Sequence, residues 1–129
     1  MIADANEVLP RLWIGTCNSC DHARGQGFFC MNMLEGPHTD QPLCVHNRIL
    51  GDDGKVIPEK LFQASRYIDW CWANGSYRGV LVHCGAGVER SPLTVAVWMT
   101  QRFALTLDAA YAWLKQHRPQ VEDRRMWLP

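Results

Sequence analysis

The chain has 129 residues, 47 % hydrophobic and 20 % charged, a balance that fits one folded domain, residues 1–129, and excludes a disordered tract. Thirteen basic residues cancel thirteen acidic ones, so global charge draws the chain to neither nucleic acid nor membrane, and any pull on an anion is local. The N-terminus carries an acid at Asp4 and lacks a signal-peptide core, and no apolar run approaches the roughly 18–20 residues of a membrane span, so a cytoplasmic protein is expected.

Glu7 to Gly15 reads as a short strand pair entered through Pro10 and left at Gly15. Cys17-Asn18-Ser19-Cys20 has zinc-knuckle spacing with Asp21 and His22 beside it. No second Cys-x-x-Cys completes four ligands, so no metal is expected. With six cysteines and a Trp-rich core, free thiols are expected over a disulfide framework. Phe28 to Leu34 is an apolar run of strand length bounded by Gly27 and Gly36-Pro37. Leu43 to Leu50 follows as another, ended by the turn Gly51-Asp52-Asp53-Gly54.

Pro58 suits the first turn of a helix, in which Leu61, Ser65, Ile68 and Trp72 recur at helical spacing until Asn74-Gly75. Gly79 to Val82, ending at His83, has the profile of a strand buried on both faces. Ser91-Pro92 opens a second helix, and Thr106 caps a third that runs to about His117 and closes at Pro119. Strands alternating with helices predict an α/β fold, its central strand feeding a turn and then a helix.

That turn carries the chemistry: His83-Cys84-Gly85-Ala86-Gly87-Val88-Glu89-Arg90-Ser91. A cysteine at the C-terminal end of a buried strand stands where α/β sheets place ligands. The small residues after it allow consecutive N–H groups of Gly85, Ala86, Gly87, Val88, Glu89 and Arg90 to form an anion-binding nest. The helix beginning at Ser91 adds its positive end. Arg90 offers a planar fork matched to two phosphate oxygens. A cation and a helix N-terminus favour a thiolate, the attacking form of cysteine. Ser91 is placed to donate a hydrogen bond to the sulfur when it leaves.

His83-Cys84-x5-Arg90-Ser91 resembles the signature of the protein tyrosine phosphatase superfamily, and the remaining spacing resembles its dual-specificity branch. The resemblance covers most of the chain, strongest at 79–99. It implies a compact three-layer sandwich with a central, mostly parallel sheet flanked by helices. It also implies a phosphocysteine intermediate, no cofactor and no metal.

The branch carries an aspartate acid on a loop about thirty residues before the cysteine. Asp52 and Asp53 lie 32 and 31 residues upstream of Cys84. Spacing to the following helix favours Asp52. The Asp-Asp-Gly string is similar to that of the regenerating-liver phosphatases, in which the second aspartate takes the role. Both stay open. His83 is either an orienting group for the loop or a core histidine.

Glu89 is unusual for the branch, though cell-division-cycle phosphatases of another fold carry glutamate there. It is expected to point away from the pocket and pair with a cation, since an inward carboxylate would repel phosphate. Lys115-Gln116-His117-Arg118 and Arg124-Arg125 read as solvated basic faces, and Trp70, Trp72, Trp98 and Trp113 as core. Cys30 and Cys44 are the cysteines considered as shields for Cys84 under oxidation.

The expected substrate is a phosphorylated protein, at phosphotyrosine and phosphoserine or phosphothreonine. The alternatives are a non-protein phosphomonoester (phosphoinositide, glucan or RNA 5′-phosphate) or a phosphate-binding pseudophosphatase. No membrane or nucleic-acid partner is expected, and the oligomeric state is open.

Overall fold

The computed structural model describes residues 2–33, 48–75 and 77–129, together with the backbone of 44–46. The expected N-terminal hairpin forms: β1 (Ala5–Leu9) pairs antiparallel with β2 (Leu12–Gly15). Pro10 fixes one turn position, and Arg11 takes the other with φ 68°. That left-handed backbone is uncommon for arginine. Its cost is offset by anchoring: the Arg11 guanidinium donates to Trp72 O (2.8 Å) and Tyr77 O (3.1 Å), clamping the turn to the last turn of the helix Pro58–Asn74 and to the segment beyond it.

The remaining elements are α1 (Cys17–Gly25), β3 (Phe29–Asn32), β4 (Cys44–His46), α2 (Pro58–Asn74), β5 (Val80–His83), α3 (Arg90–Phe103), α4 (Leu107–His117) and a 3-10 turn at Arg125–Trp127. Residues 34, 43 and 47 of the two expected strand runs lie outside the described residues. Pro58 stands at the first turn of α2, and Gly75 ends it in the left-handed conformation (φ 75°). Thr106 caps α4, its side chain accepting from Ala109 N at 3.1 Å.

Helix α1 was not expected, and the reason is physical. Its buried face is only Ser19, Cys20 and Ala23, too small and polar to show an apolar stripe. The legible signal was the start: Thr16 Oγ1 accepts from Asn18 N, and Ser19 Oγ accepts from Thr16 N, a reciprocal cap. The Cys-x-x-Cys spacing therefore marks one helical turn. Among the described residues no three His, Cys, Asp or Glu side chains group as metal ligands would.

The sheet order is β1-β2-β5-β3-β4 among the described residues, with every pairing after the first parallel. Strand β5 therefore has a parallel neighbour on each side, which explains why all four of its residues are buried. Side chains alternate across it. Val80 and Val82, with Leu12, Ile14, Phe29 and Met31, face α2, α3 and α4, while Leu81 joins Cys30, Cys20, Ala23 and Phe28 under α1. The result is the expected three-layer α/β sandwich.

The tryptophans divide. Trp98 is buried and Trp72 packs against it edge to face at 5.3 Å, as expected of core. Trp70 and Trp113 are instead exposed on α2 and α4, because their positions fall on the outer helix faces. Register puts Gly15, His83 and Asn32 side by side, so three parallel strands end on one edge. Cys84 is the next residue beyond it.

Candidate active site

Residues 84–89 join β5 to α3 and curl over that edge. Their carbonyls point outward and are held there. Arg118 donates from Nε to Gly87 O at 2.8 Å and from Nη2 to Ala86 O at 3.0 Å. Glu122 N donates to Val88 O at 2.9 Å, and Cys17 Sγ to Cys84 O at 3.4 Å. In a planar trans peptide the N–H points opposite to its carbonyl. Fixing these four carbonyls therefore turns the amides of Gly85, Gly87, Val88 and Glu89 to the inner side. Among the described residues none of those amides has a hydrogen-bond acceptor. The segment is a nest with its donors free.

Gly87 is required by this geometry. Its φ is +66°, and an added Cβ would lie 2.5 Å from Gly15 O and 2.8 Å from Arg118 Nη2. The loop packs directly on the end of β2. At Gly85, by contrast, an added Cβ would meet nothing within 4 Å.

Cys84 is only 3 % exposed at the base of the loop. Arg90 is the first residue of α3 and is half-buried; among the described residues its guanidinium has no ion pair or hydrogen bond. Ser91 is fully buried, and its Oγ has no partner among the described residues. His83 is buried at the end of β5, its carbonyl accepting from Met33 N at 2.8 Å.

Glu89 points away, pairing through Oε2 with Arg124 Nε at 2.7 Å. Arg124 also engages Glu122, and Arg125 pairs with Asp123 and Asp108. The Arg125 guanidinium holds the Asp123 carboxyl below its ordinary range. Arg124 and Arg125 are thus consumed by acids. Arg118 is the larger departure from a solvated face: it is 2 % exposed, and its third bond runs from Nη1 to Asn6 Oδ1 at 2.7 Å. Burial lowers its pKa from the ordinary value, against the opposing influence of Cys84 and Asp4.

The two aspartates sit on a tight turn closed by the Leu50–Val56 bridge and by Gly51 N donating to Lys55 O at 2.8 Å. Asp53 Oδ1 accepts from Lys55 N at 2.9 Å and is used inside the turn. Asp52 projects to solvent, 98 % exposed, and pairs with Arg48 at 2.7 Å. Of the cysteines considered as shields, Cys30 lies under α1 with its Sγ 3.8 Å from Cys20 O, and the Cys44 side chain lies outside the described residues. The thiol that approaches the loop is Cys17. Burial chiefly, then Cys84 and Cys20, raise its pKa above the ordinary value.

Comparison with known proteins gives the family and the fold. Residues 17–127 match the family model described as dual specificity phosphatase, catalytic domain. Human dual specificity protein phosphatase 2 is 28 % identical over 125 residues, covering 87 % of this chain and 37 % of its own length. The chain thus spans little more than a third of that curated relative. Among solved structures, human DUSP28 superposes with a TM-score of 0.76 at 17 % identity, covering 98 % of this chain and 89 % of the other. A human tyrosine phosphatase-like serine/threonine/tyrosine-interacting protein superposes at 0.74 and 18 % identity, covering 95 % and 89 %. At such identities the structures speak for the fold alone.

Proposed function

The chain belongs to the family of dual specificity phosphatase catalytic domains, and from that premise we propose that it is a single catalytic domain hydrolysing phosphomonoesters of proteins through a phosphocysteine. The observation that carries the reading is the ring of inward amides without acceptors above Cys84, beside an Arg90 guanidinium without a partner among the described residues.

In the first step the Cys84 thiolate attacks phosphorus in line, forming S–P as the P–O bond to the leaving group breaks. The amides of residues 85–90 and the Arg90 fork hold the three equatorial oxygens where charge spreads. The leaving oxygen takes a proton from an aspartic acid. Asp52 is the proposed donor, because its spacing to the following helix fits and it projects to solvent with only an exposed ion pair to Arg48 among the described residues, whereas Asp53 accepts from Lys55 N inside the turn. In the second step water attacks phosphorus and gives its proton to that aspartate. The S–P bond then breaks, and the sulfur leaves as thiolate. The buried Ser91 hydroxyl is the proposed donor to that sulfur. Every electron pair and proton is accounted for by these groups, so the reaction calls on no cofactor.

Phosphotyrosine and phosphoserine or phosphothreonine in proteins are the proposed substrates, with the cytoplasm as the proposed compartment. Among the described residues no helix is long and apolar enough to cross a membrane. The test is hydrolysis of an aryl phosphate by reduced protein with a chelator present, set beside Cys84→Ser. Turnover lost in the serine variant supports the reading. Equal turnover by both, or none by the wild type across aryl phosphates and phosphopeptides, counts against it.

A further inference from the structure

The basic residue that sequence patterning assigned to a solvated face sits under the loop, and it has a definite job. We infer that Arg118 is a positioning residue for the reaction: its guanidinium fixes the Ala86 and Gly87 carbonyls outward, so that the Gly87 and Val88 amides face the phosphate. This rests on the phosphatase reading and adds to it a residue that does not touch the substrate.

Three observations converge. The first is the fork itself. Nε and Nη2 take the adjacent carbonyls at 2.8 and 3.0 Å, a two-pronged grip that planar guanidinium geometry allows and a lysine ammonium cannot copy. The second is rigidity. Arg118 is 2 % exposed, and its remaining arm is tied to Asn6 Oδ1 on β1 at 2.7 Å, so the fork is held from the sheet side as well. The third is the fit at Gly87. A Cβ there would come within 2.8 Å of Nη2, so the loop has kept a bare backbone where the guanidinium approaches.

The consequence follows from peptide planarity. If the Ala86–Gly87 or Gly87–Val88 peptide flips, the nest loses an N–H and gains a carbonyl lone pair aimed at the phosphate. Small residues resist such a flip weakly, since glycine is permissive on both sides of φ. Without the fork the loop samples both states, and only one binds an oxyanion. Losing a single preorganised donor typically costs about 10²–10³ in kcat.

The experiment compares Arg118→Lys, Arg118→Met and Asn6→Ala with wild type in KM and kcat for an aryl phosphate. Inhibition by inorganic phosphate and orthovanadate is read alongside, with far-UV circular dichroism and thermal melting as controls. The expected result is a rise of about tenfold in KM and both inhibition constants with a similar loss in kcat. Lysine should behave like methionine, because the fork is at issue and not the charge. Asn6→Ala, which leaves the loop carbonyls gripped, should move the same constants by about threefold. Folded variants whose inhibition constants stay within twofold of wild type would overturn the role, as would full rescue by lysine. If Arg118→Met does not fold, the lysine and Asn6 variants decide. Phosphate binding measured in the Cys84→Ser background reads the loop without turnover. Failure of the phosphatase reading therefore shows as inactive wild type, and failure of this inference as unchanged phosphate affinity.

Discussion

Glu89 and Arg124 form an ion pair of 2.7 Å that carries the loop's one carboxylate away from the inward-facing amides. Arg124 reaches it from the C-terminal segment, whose Glu122 amide also holds Val88 O. The acid of the proposed phosphate-binding loop is thereby held by a partner 35 residues later in the chain.

Breaking that pair from one side should expose the acid. Arg124→Ala is expected to raise KM for an aryl phosphate about threefold at low salt, and less at high salt, where exposed charges are screened. Glu89→Gln in the same background should restore KM, because the unpaired charge is the cause. A double-mutant cycle of KM values checks this.

The two loop glycines should differ sharply. Gly87→Ala forces a left-handed backbone on alanine and drives its Cβ into Gly15 O, so a loss of about 1–3 kcal/mol is expected with activity nearly abolished. Gly85→Ala meets open space, and its stability should stay within about 0.5 kcal/mol of wild type. Urea denaturation of both variants tests the contrast.

The aspartates should separate by leaving group. Asp52→Asn is expected to cost about 10²-fold in kcat on an alkyl phosphate and much less on an aryl phosphate, whose leaving oxygen needs little protonation. Asp53→Asn should loosen the turn without that leaving-group dependence, since its carboxylate serves Lys55 N. Parallel kcat measurements on the two substrates decide the assignment.

Stability should fall in alkali. Burial raises Cys71 to about 11 from 9.0 and Tyr111 to about 12 from 10.0. Both folded pKa values exceed the unfolded ones, so the folded state holds protons that the unfolded chain has released. Their contribution is full below pH 9 and is lost as pH rises to 11 for Cys71 and from 10 to 12 for Tyr111. Denaturation at pH 8 and 10.5 should show a decline of roughly 2–3 kcal/mol. Cys71→Ala and Tyr111→Phe should each flatten the slope.

The parts of this molecule legible in sequence are those whose chemistry is local. Pro58 and Gly75 announce α2, Thr106 announces α4, and Cys84 to Arg90 carry their spacing on the surface of the sequence. Helix α1 was hidden because its buried face is serine, cysteine and alanine, which give no apolar period. Arg118 was hidden for a different reason. One arginine in Lys115-Gln116-His117-Arg118 reads like its neighbours until the chain returns to the loop 31 residues earlier and buries it. Trp70 and Trp113 erred the other way, since residue type marks apolar area but helix phase decides which face it lies on.

The defining intermediate of the proposed reaction is a covalent phosphocysteine at Cys84. Its most direct test is acid quench of the wild-type protein during turnover of an aryl phosphate, with the phosphorylated peptide located by mass spectrometry. Phosphate is expected on the peptide containing Cys84, with none in Cys84→Ser and more in Asp52→Asn, where the water of the second step loses its base. Turnover that continues in Cys84→Ser, with no phosphate found on the wild-type cysteine peptide, would contradict it.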